Sequence, residues 1–218
     1  MKFIKLYESF DDIDSICKKF FIKNYTINSD GLVDVDGEVD LYNKDLTKLP
    51  LKFGNVTGYF HCGYNQLTTL EGCPKSVGGD FACYYNKLTS LEFCPQSVGR
   101  SFLCNNNQLT TLEGCPQSVG VSFHCSNNLL KDLYGFPEFF DGIIYHKHTT
   151  VSEILNLFEQ DDHKQFILGK FIDLLNEYGV IQQNGKVVIL DRLEEVFHTL
   201  NMSNNIPKEI NLKNYEVY

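Results

Sequence analysis

A right-handed solenoid of the α/β repeat class, wound from short parallel strands, is the fold this sequence predicts, and three observations carry that expectation. Four segments are near-copies at a spacing of 21 residues: GYFHCGYNQLTTLEGCPKSVG from Gly58, GDFACYYNKLTSLEFCPQSVG from Gly79, RSFLCNNNQLTTLEGCPQSVG from Arg100 and the diverged VSFHCSNNLLKDLYGFPEFFD from Val121. A fixed period of this size marks units that bury their apolar side only against their neighbours. Within a unit, Phe60 and Cys62 alternate with His61 and Gly63, the period of a strand with one buried face. The unit is also too short for a strand, two turns and a full helix, so its second side is expected to be extended or turn-like, with Cys-Pro and Val-Gly at the corners.

The chain opens with an amphipathic helix over 10–22. Ser9 and Asp12 have the capping-box spacing, and Ile13, Ile16, Cys17, Phe20 and Phe21 recur behind them at helical intervals. A hairpin follows, with Tyr25 and Ile27 facing Val33 and Val35 across Ser29-Asp30-Gly31. Residues 1–37 are thus expected to form an N-terminal helix-and-hairpin cap. The repeat region, 38–145, begins with an imperfect copy: Val39, Leu41, Leu46, Leu49 and Val56 stand 21 residues before Phe60, Cys62, Leu67, Leu70 and Val77. Strands are expected near Val39–Leu41, Phe60–Cys62, Phe81–Cys83, Phe102–Cys104 and Phe123–Cys125. Over 146–218 the pattern changes to a small α+β cap. Thr150 and Glu153 open a helix, a second carries Ile167, Phe171, Leu174 and Leu175, and Asp191 and Glu194 cap a third. Val180–Ile181 and Val187–Ile189 flank Asn184-Gly185, a hairpin signal.

Bulk properties narrow the function classes. At 218 residues and 43% hydrophobic content the chain has the make-up of a folded protein of one or two units. A formal net charge of -9 with scattered Lys and Arg argues against binding to a nucleic-acid backbone, which takes a clustered basic face. No apolar run approaches the ~18 residues of a membrane span, and MKFIKLYESFDD is too short in its apolar part for a secretory signal.

Seven of the eight cysteines fall in two columns, Cys62, Cys83, Cys104 and Cys125 in one and Cys73, Cys94 and Cys115 in the other. They read as buried thiols of a reducing compartment. Disulfides between adjacent turns, or a zinc site, are the alternatives, weakened by parallel Cβ vectors and by the four converging ligands that zinc takes. DVDGEVD invites a calcium reading, but its Gly is misplaced for an EF-hand and no Glu closes the loop at position twelve. Asp34, Asp36, Glu38 and Asp40 read instead as a solvated edge that discourages stray strand pairing. No cofactor and no metal is expected. His146, His148 and His163 form no catalytic or metal spacing, and no nucleophile–base set or phosphate loop occurs, so the chain reads as non-enzymatic.

The spacing F-x-C-x-x-N-x-L-x-x-L resembles the L-x-L-x-x-N-x-L core of leucine-rich repeats, with Phe and Cys in place of two leucines. The resemblance implies a parallel sheet on a concave face and an inward Asn that hydrogen-bonds the backbone of adjacent turns. Lys44 departs from it in the first copy. Over residues 24–142, NYTINSDGLVDVDG, NKDLTKLPLKFGNVTGYF and NQLTTLEGCPQSVG resemble leucine-rich repeat proteins of large tailed bacteriophages, as does VVILDRLEEVF near the end. That implies a viral protein acting in the cytoplasm of an infected bacterium. Leucine-rich repeat effectors with an appended ubiquitin-ligase domain use a catalytic Cys; here no Cys follows Cys125.

Outward strand positions differ from copy to copy while the core slots repeat, and this predicts a protein-binding face built from Tyr59, His61, Asp80, Tyr84, Leu103, Asn105, Ser122 and His124. Ala82 and Ser101 belong to the same positions, with Tyr64 and Tyr85 at the strand ends. The expected partner is a host or phage protein, with neither nucleic acid nor membrane. The alternative is a virion component: MKFIKLYESF resembles phage leaders, and Leu6-Tyr7-Glu8 fits the L-x-E pattern cut by prohead proteases of T-even-type phages.

Overall fold

The computed structural model describes residues 10–130, Gly135, and the strands that lie beyond them. The leader and its L-x-E site, the three C-terminal helices and His146, His148 and His163 fall outside the described residues.

Phe10–Lys19 forms helix α1. It ends one turn earlier than the apolar spacing predicts. Phe21 N–H donates to Lys18 O and Ile22 N–H to Cys17 O, with Phe21 left-handed at φ 56 between them. This is a Schellman stop, in which the residue after the last turn reverses the chain and the next one packs back. Ile22 is accordingly buried with Cys17, while Phe21 is thrown out to 81% exposure and leaves the apolar face it was expected to join.

Strands β1 (Tyr25–Ile27) and β2 (Val33–Val35) form the expected hairpin, pairing Tyr25 with Val35 and Ile27 with Val33. Asn28 Oδ1 accepts from Asp30 N–H and Leu32 N–H across the turn. From β2 onward the strands of the repeat region alternate between two sheets. One contains β4 (Phe53–Val56), β6 (Ser76–Val77), β8 (Ser97–Val98), β10 (Ser118–Val119) and β12 (Phe139–Phe140), stacked on the hairpin in the order β1-β2-β4-β6-β8-β10-β12. The other runs β3-β5-β7-β9-β11-β13: Val39–Asp40, Phe60–His61, Phe81–Ala82, Ser101–Leu103, Ser122–His124 and Ile143–Tyr145. The protein is a parallel-sheet β-solenoid of about four turns with little helix. Register follows the sequence period, pairing Phe60 with Phe81, Phe81 with Phe102, Ser76 with Ser97 and Ser97 with Ser118.

The Phe-bearing strands lie where the alternation predicts them. The second side is more regular than expected, because each Ser–Val pair joins a sheet of its own. Its glycine follows from the stacking: a Cβ at Gly78 would lie 2.2 Å from Thr57 O, and one at Gly99 2.2 Å from Gly78 O. Each turn rests on backbone at that corner, and only a residue without a side chain fits.

Between the sheets the core is a set of columns. Phe60, Phe81 and Phe102 stack with centroids 5.7 and 5.5 Å apart, Phe53 and Phe123 extend the column at either end, and all are buried. A fully buried side chain of this size contributes roughly 1.5–3 kcal/mol. Leu67, Leu88, Leu109 and Leu130 form a second column, and Ile13, Cys17 and Ile22 join the same cluster from the α1 side.

The asparagines tie the turns together. Asn86 Nδ2–H donates to Cys62 O of the preceding turn and to Cys83 O of its own, each at 3.0 Å, while its Oδ1 accepts from Leu67 N–H at 2.9 Å. Asn107 and Asn128 repeat the pattern one and two turns on. Asn65 does the same toward the first copy, where its Oδ1 accepts from both Lys44 and Leu46 N–H. Each Asn reaches back to the turn before its own, and the copy carrying Lys44 has no such turn beneath it in the Phe-strand sheet. Its departure from the repeat pattern follows.

Further along, β14 (Ile181–Gln182) and β15 (Val187–Val188) pair antiparallel as expected, and β16 (Glu216–Val217) adds in parallel to β15.

Candidate functional site

The outward face of the six-stranded sheet is a grid of rows, one per strand. In each row the residue before the Phe slot, the one after it and the one two further on point away from the core. The row then ends in a left-handed residue: Asn43, Tyr64, Tyr85, Asn106 and Asn127, at φ 50 to 56. That bend turns the chain inward so that the next residue, the ladder Asn, can reach the backbone. Asn tolerates the conformation; Tyr does so at a cost of about 1–2 kcal/mol.

The first three rows bring rings together. Tyr64 stacks on Tyr85 with centroids 4.4 Å apart, Tyr84 meets Tyr64 edge-on at 5.7 Å, and Tyr42 meets Tyr64 edge-on at 5.2 Å. His61 lies between Tyr42, at 4.8 Å, and Tyr84, at 5.3 Å. Gly63 makes this closeness possible, since a Cβ there would come within 3.1 Å of His61 Nε2 and 3.3 Å of a Tyr84 ring carbon. Tyr64 and Tyr85 remain 43% and 46% exposed, so the cluster stays open to solvent.

Carboxylates border the rings. Asp40 Oδ1 accepts from Tyr42 N–H at 2.9 Å and lies 4.0 Å from His61 Nδ1, with the Asp40 side chain 59% exposed. Burial lowers the His61 pKa and the Asp40 charge partly opposes this, so the ring is neutral at pH 7. Its Nε2 is buried without a hydrogen-bond partner. Burial and the charges of Glu38 and Asp40 raise the Tyr59 pKa, and burial, Tyr42, Tyr64 and Asp40 raise that of Tyr84; both phenols stay protonated.

The remaining acids of DVDGEVD hold the fold instead. Asp34 Oδ1 accepts from Asn55 N–H, and Asp36 Oδ1 from Thr57 Oγ1–H. Asp36, Glu38 and Asp40 are nonetheless exposed, Asp34 is half-buried, and β3, which carries Asp40, is an edge strand of its sheet, in line with the solvated edge that the sequence suggests. No group of three or more His, Cys, Asp or Glu side chains suited to a metal occurs among the described residues.

The two later rows differ. Leu103 and Asn105 are half-buried, and Asp80 is engaged by Ser101 N–H at 2.9 Å and by Arg100 Nε at 3.6 Å. Ser122 is buried, as is Ala82, against the expectation that both are exposed. His124 Nε2 closes over Ser122 Oγ at 3.1 Å, and Ser122 pairs on both sides, with Ser101 and Ile143. Tyr84, Leu103 and His124 do not form one line, because Tyr84 lies two positions further along its row than the other two. The strands run two or three residues each, so the regular face is narrow. Tyr42 was missing from the expected set because it lies in the diverged first copy; it stands two periods before Tyr84.

The thiols sit behind this face. All eight cysteines are free and buried. Desolvation pushes Cys83 and Cys104 well above the usual thiol range, and Cys125 up to about 12. Cys94 and Cys115 donate to Gly114 O and Gly135 O of the following turn, both at 2.8 Å.

Compared with family models, curated proteins and solved structures, the chain matches none.

Proposed function

We propose that this protein is a non-enzymatic, protein-binding scaffold of the leucine-rich repeat type, acting through the outward face of its six-stranded sheet. One observation carries the reading: across the repeats the Phe, Cys, Asn, Leu and Val slots hold constant, while the outward positions change residue by residue and keep solvent-exposed tyrosines in a costly conformation. The asparagine ladder supports the leucine-rich repeat type. In this reading α1 and the β1–β2 hairpin serve as the N-terminal cap and the residues from 146 onward as the C-terminal one. The resemblance of 24–142 to bacteriophage repeat proteins supports a phage origin and a host or phage protein as partner, met in the bacterial cytoplasm.

Size limits what the face holds. Rows ~4.8 Å apart make a patch of a few hundred Å² at most, below the ~800 Å² that a standard interface takes from each partner. A peptide or a projecting loop fits it. The test is capture from bacterial lysate by the purified chain, followed by competition with a Tyr84→Ala, Leu103→Ala, His124→Ala triple variant of unchanged melting temperature. Capture should fall at least about tenfold, the scale of losing interface anchors. Undiminished capture moves the site off this face.

A further inference from the structure

The ring cluster and its carboxylates define the chemistry of the occupant more narrowly than a peptide in general. The outward and row-ending positions of the first three rows hold three carboxylates, those of Glu38, Asp40 and Asp80, and no Lys or Arg. Asp80 is satisfied by Arg100 and by Ser101 N–H. Glu38 and Asp40 have no Lys or Arg partner among the described residues, and Asp40 is well exposed. Lys87, two residues past Tyr85, is turned to Gln66 Oε1 at 3.2 Å.

Exposed, electron-rich tyrosine rings beside a carboxylate with no Lys or Arg partner among the described residues suit one common side chain above others. A guanidinium is planar, stacks on aromatic faces, sheds water more readily than an ammonium and forms paired hydrogen bonds with a carboxylate. We propose that Tyr42, Tyr64, Tyr84 and Tyr85, with Asp40, seat arginine side chains of an extended basic peptide segment. This rests on the scaffold reading and names the partner's chemistry. Neutral His61 fills the space between Tyr42 and Tyr84 and adds no competing positive charge.

The probe is the blocked peptide Gly-Arg-Ser-Arg-Gly-Arg, with arginines at alternate positions that recur every ~6.8 Å along an extended chain. Its lysine and citrulline counterparts serve as controls, citrulline keeping shape and losing charge. Calorimetric titration of the full chain should show saturable binding to the arginine peptide that weakens with salt, with lysine weaker and citrulline at least about tenfold weaker. Ring-proton shifts should concentrate on Tyr42, Tyr64, Tyr84 and Tyr85. Asp40→Asn keeps the oxygen that accepts from Tyr42 N–H and should weaken binding several-fold, whereas Glu113→Gln, an exposed carboxylate outside these rows, should leave it unchanged. The citrulline comparison uses the unaltered chain, so it stands whether or not a variant folds.

Equal binding of the citrulline peptide, no saturable binding of the arginine peptide, or indifference to Asp40→Asn overturns the proposal. So does saturation of the same rings by a neutral oligosaccharide without salt dependence, which would make them a sugar platform. A captured protein that tolerates Asp40→Asn and Tyr84→Ala but is lost with Leu103→Ala refutes the arginine assignment alone and leaves the scaffold reading standing.

Discussion

The first three rows of the six-stranded sheet and the two after them share one frame and present opposite surfaces. Behind both lie the same Phe column, the same buried thiols and the same asparagine ladder. In front, the early rows carry Tyr42, His61, Tyr64, Tyr84 and Tyr85 with acidic neighbours; the later rows carry Leu103, Asn105 and a His124 folded over Ser122. At the left-handed bend Asn106 and Asn127 of the later rows, like Asn43 of the first row, occupy a conformation that suits them, whereas Tyr64 and Tyr85 occupy one that does not. The difference teaches that frame and face are separable. The frame sets where a side chain points, while no core contact dictates which residue is placed there.

The largest expected effect comes from breaking the frame, which should ignore the contrast between rows. Gly99→Ala puts a methyl group 2.2 Å from Gly78 O, backbone that must move, and should cost about 3 kcal/mol, the upper end for overpacking. Denaturant melts check it; a loss under about 1 kcal/mol would mean the turns are not in contact at that corner. Asn86→Ala removes one acceptor and two donor contacts to buried backbone and should cost about 2–3 kcal/mol. Asn128→Ala, in the later rows, should cost a similar amount, and a clear inequality would break the claim of a uniform frame.

Exchange at the bend sharpens the contrast itself. Asn106→Tyr should destabilise by about 1–2 kcal/mol. The double variant Tyr64→Asn, Tyr85→Asn relieves two bends at about 1–2 kcal/mol each and gives up four ring contacts at ~0.5–1.5 kcal/mol each, so the two nearly cancel and its stability should stay within about 2 kcal/mol of the native chain. The same variant should bind less. If it proves both less stable and equally able to bind, the tyrosines are there for packing.

The smallest effect is acidification. Burial lowers the pKa of both His61 and His124 below the ordinary 6.5. The unfolded chain therefore takes up protons that the native rings resist, so stability falls as pH drops through 6.5 and levels off once the native rings titrate. Replacing His61 and His124 together by Gln should remove this pH dependence. Urea midpoints measured across that range decide it.

How much of this was legible follows from what repeats. A period of 21 in Phe, Cys, Asn, Leu and Val named the core columns, the strand positions and the absence of room for a helix, because a residue that must pack on its own copy one turn away has little freedom to vary; the inward Asn was implied by the resemblance to leucine-rich repeats. The hairpin was legible for a similar reason: alternation on either side of Ser29-Asp30-Gly31 allows few registers. The outward positions obey no such rule, and there alternation alone misled. Ser122 and Ala82 are buried because neighbouring rows and the His124 ring close over them, and Phe21 is exposed because the helix stops at Lys19. The second sheet, the left-handed tyrosines and the joining of Tyr42 to Tyr84 across two periods were decided by tertiary structure. Each depends on the distance between turns and the direction of a side chain at a bend, and neither quantity is written in residue spacing. By itself the sequence determined which residues stack; only the stacked chain decided which of the remaining ones meet.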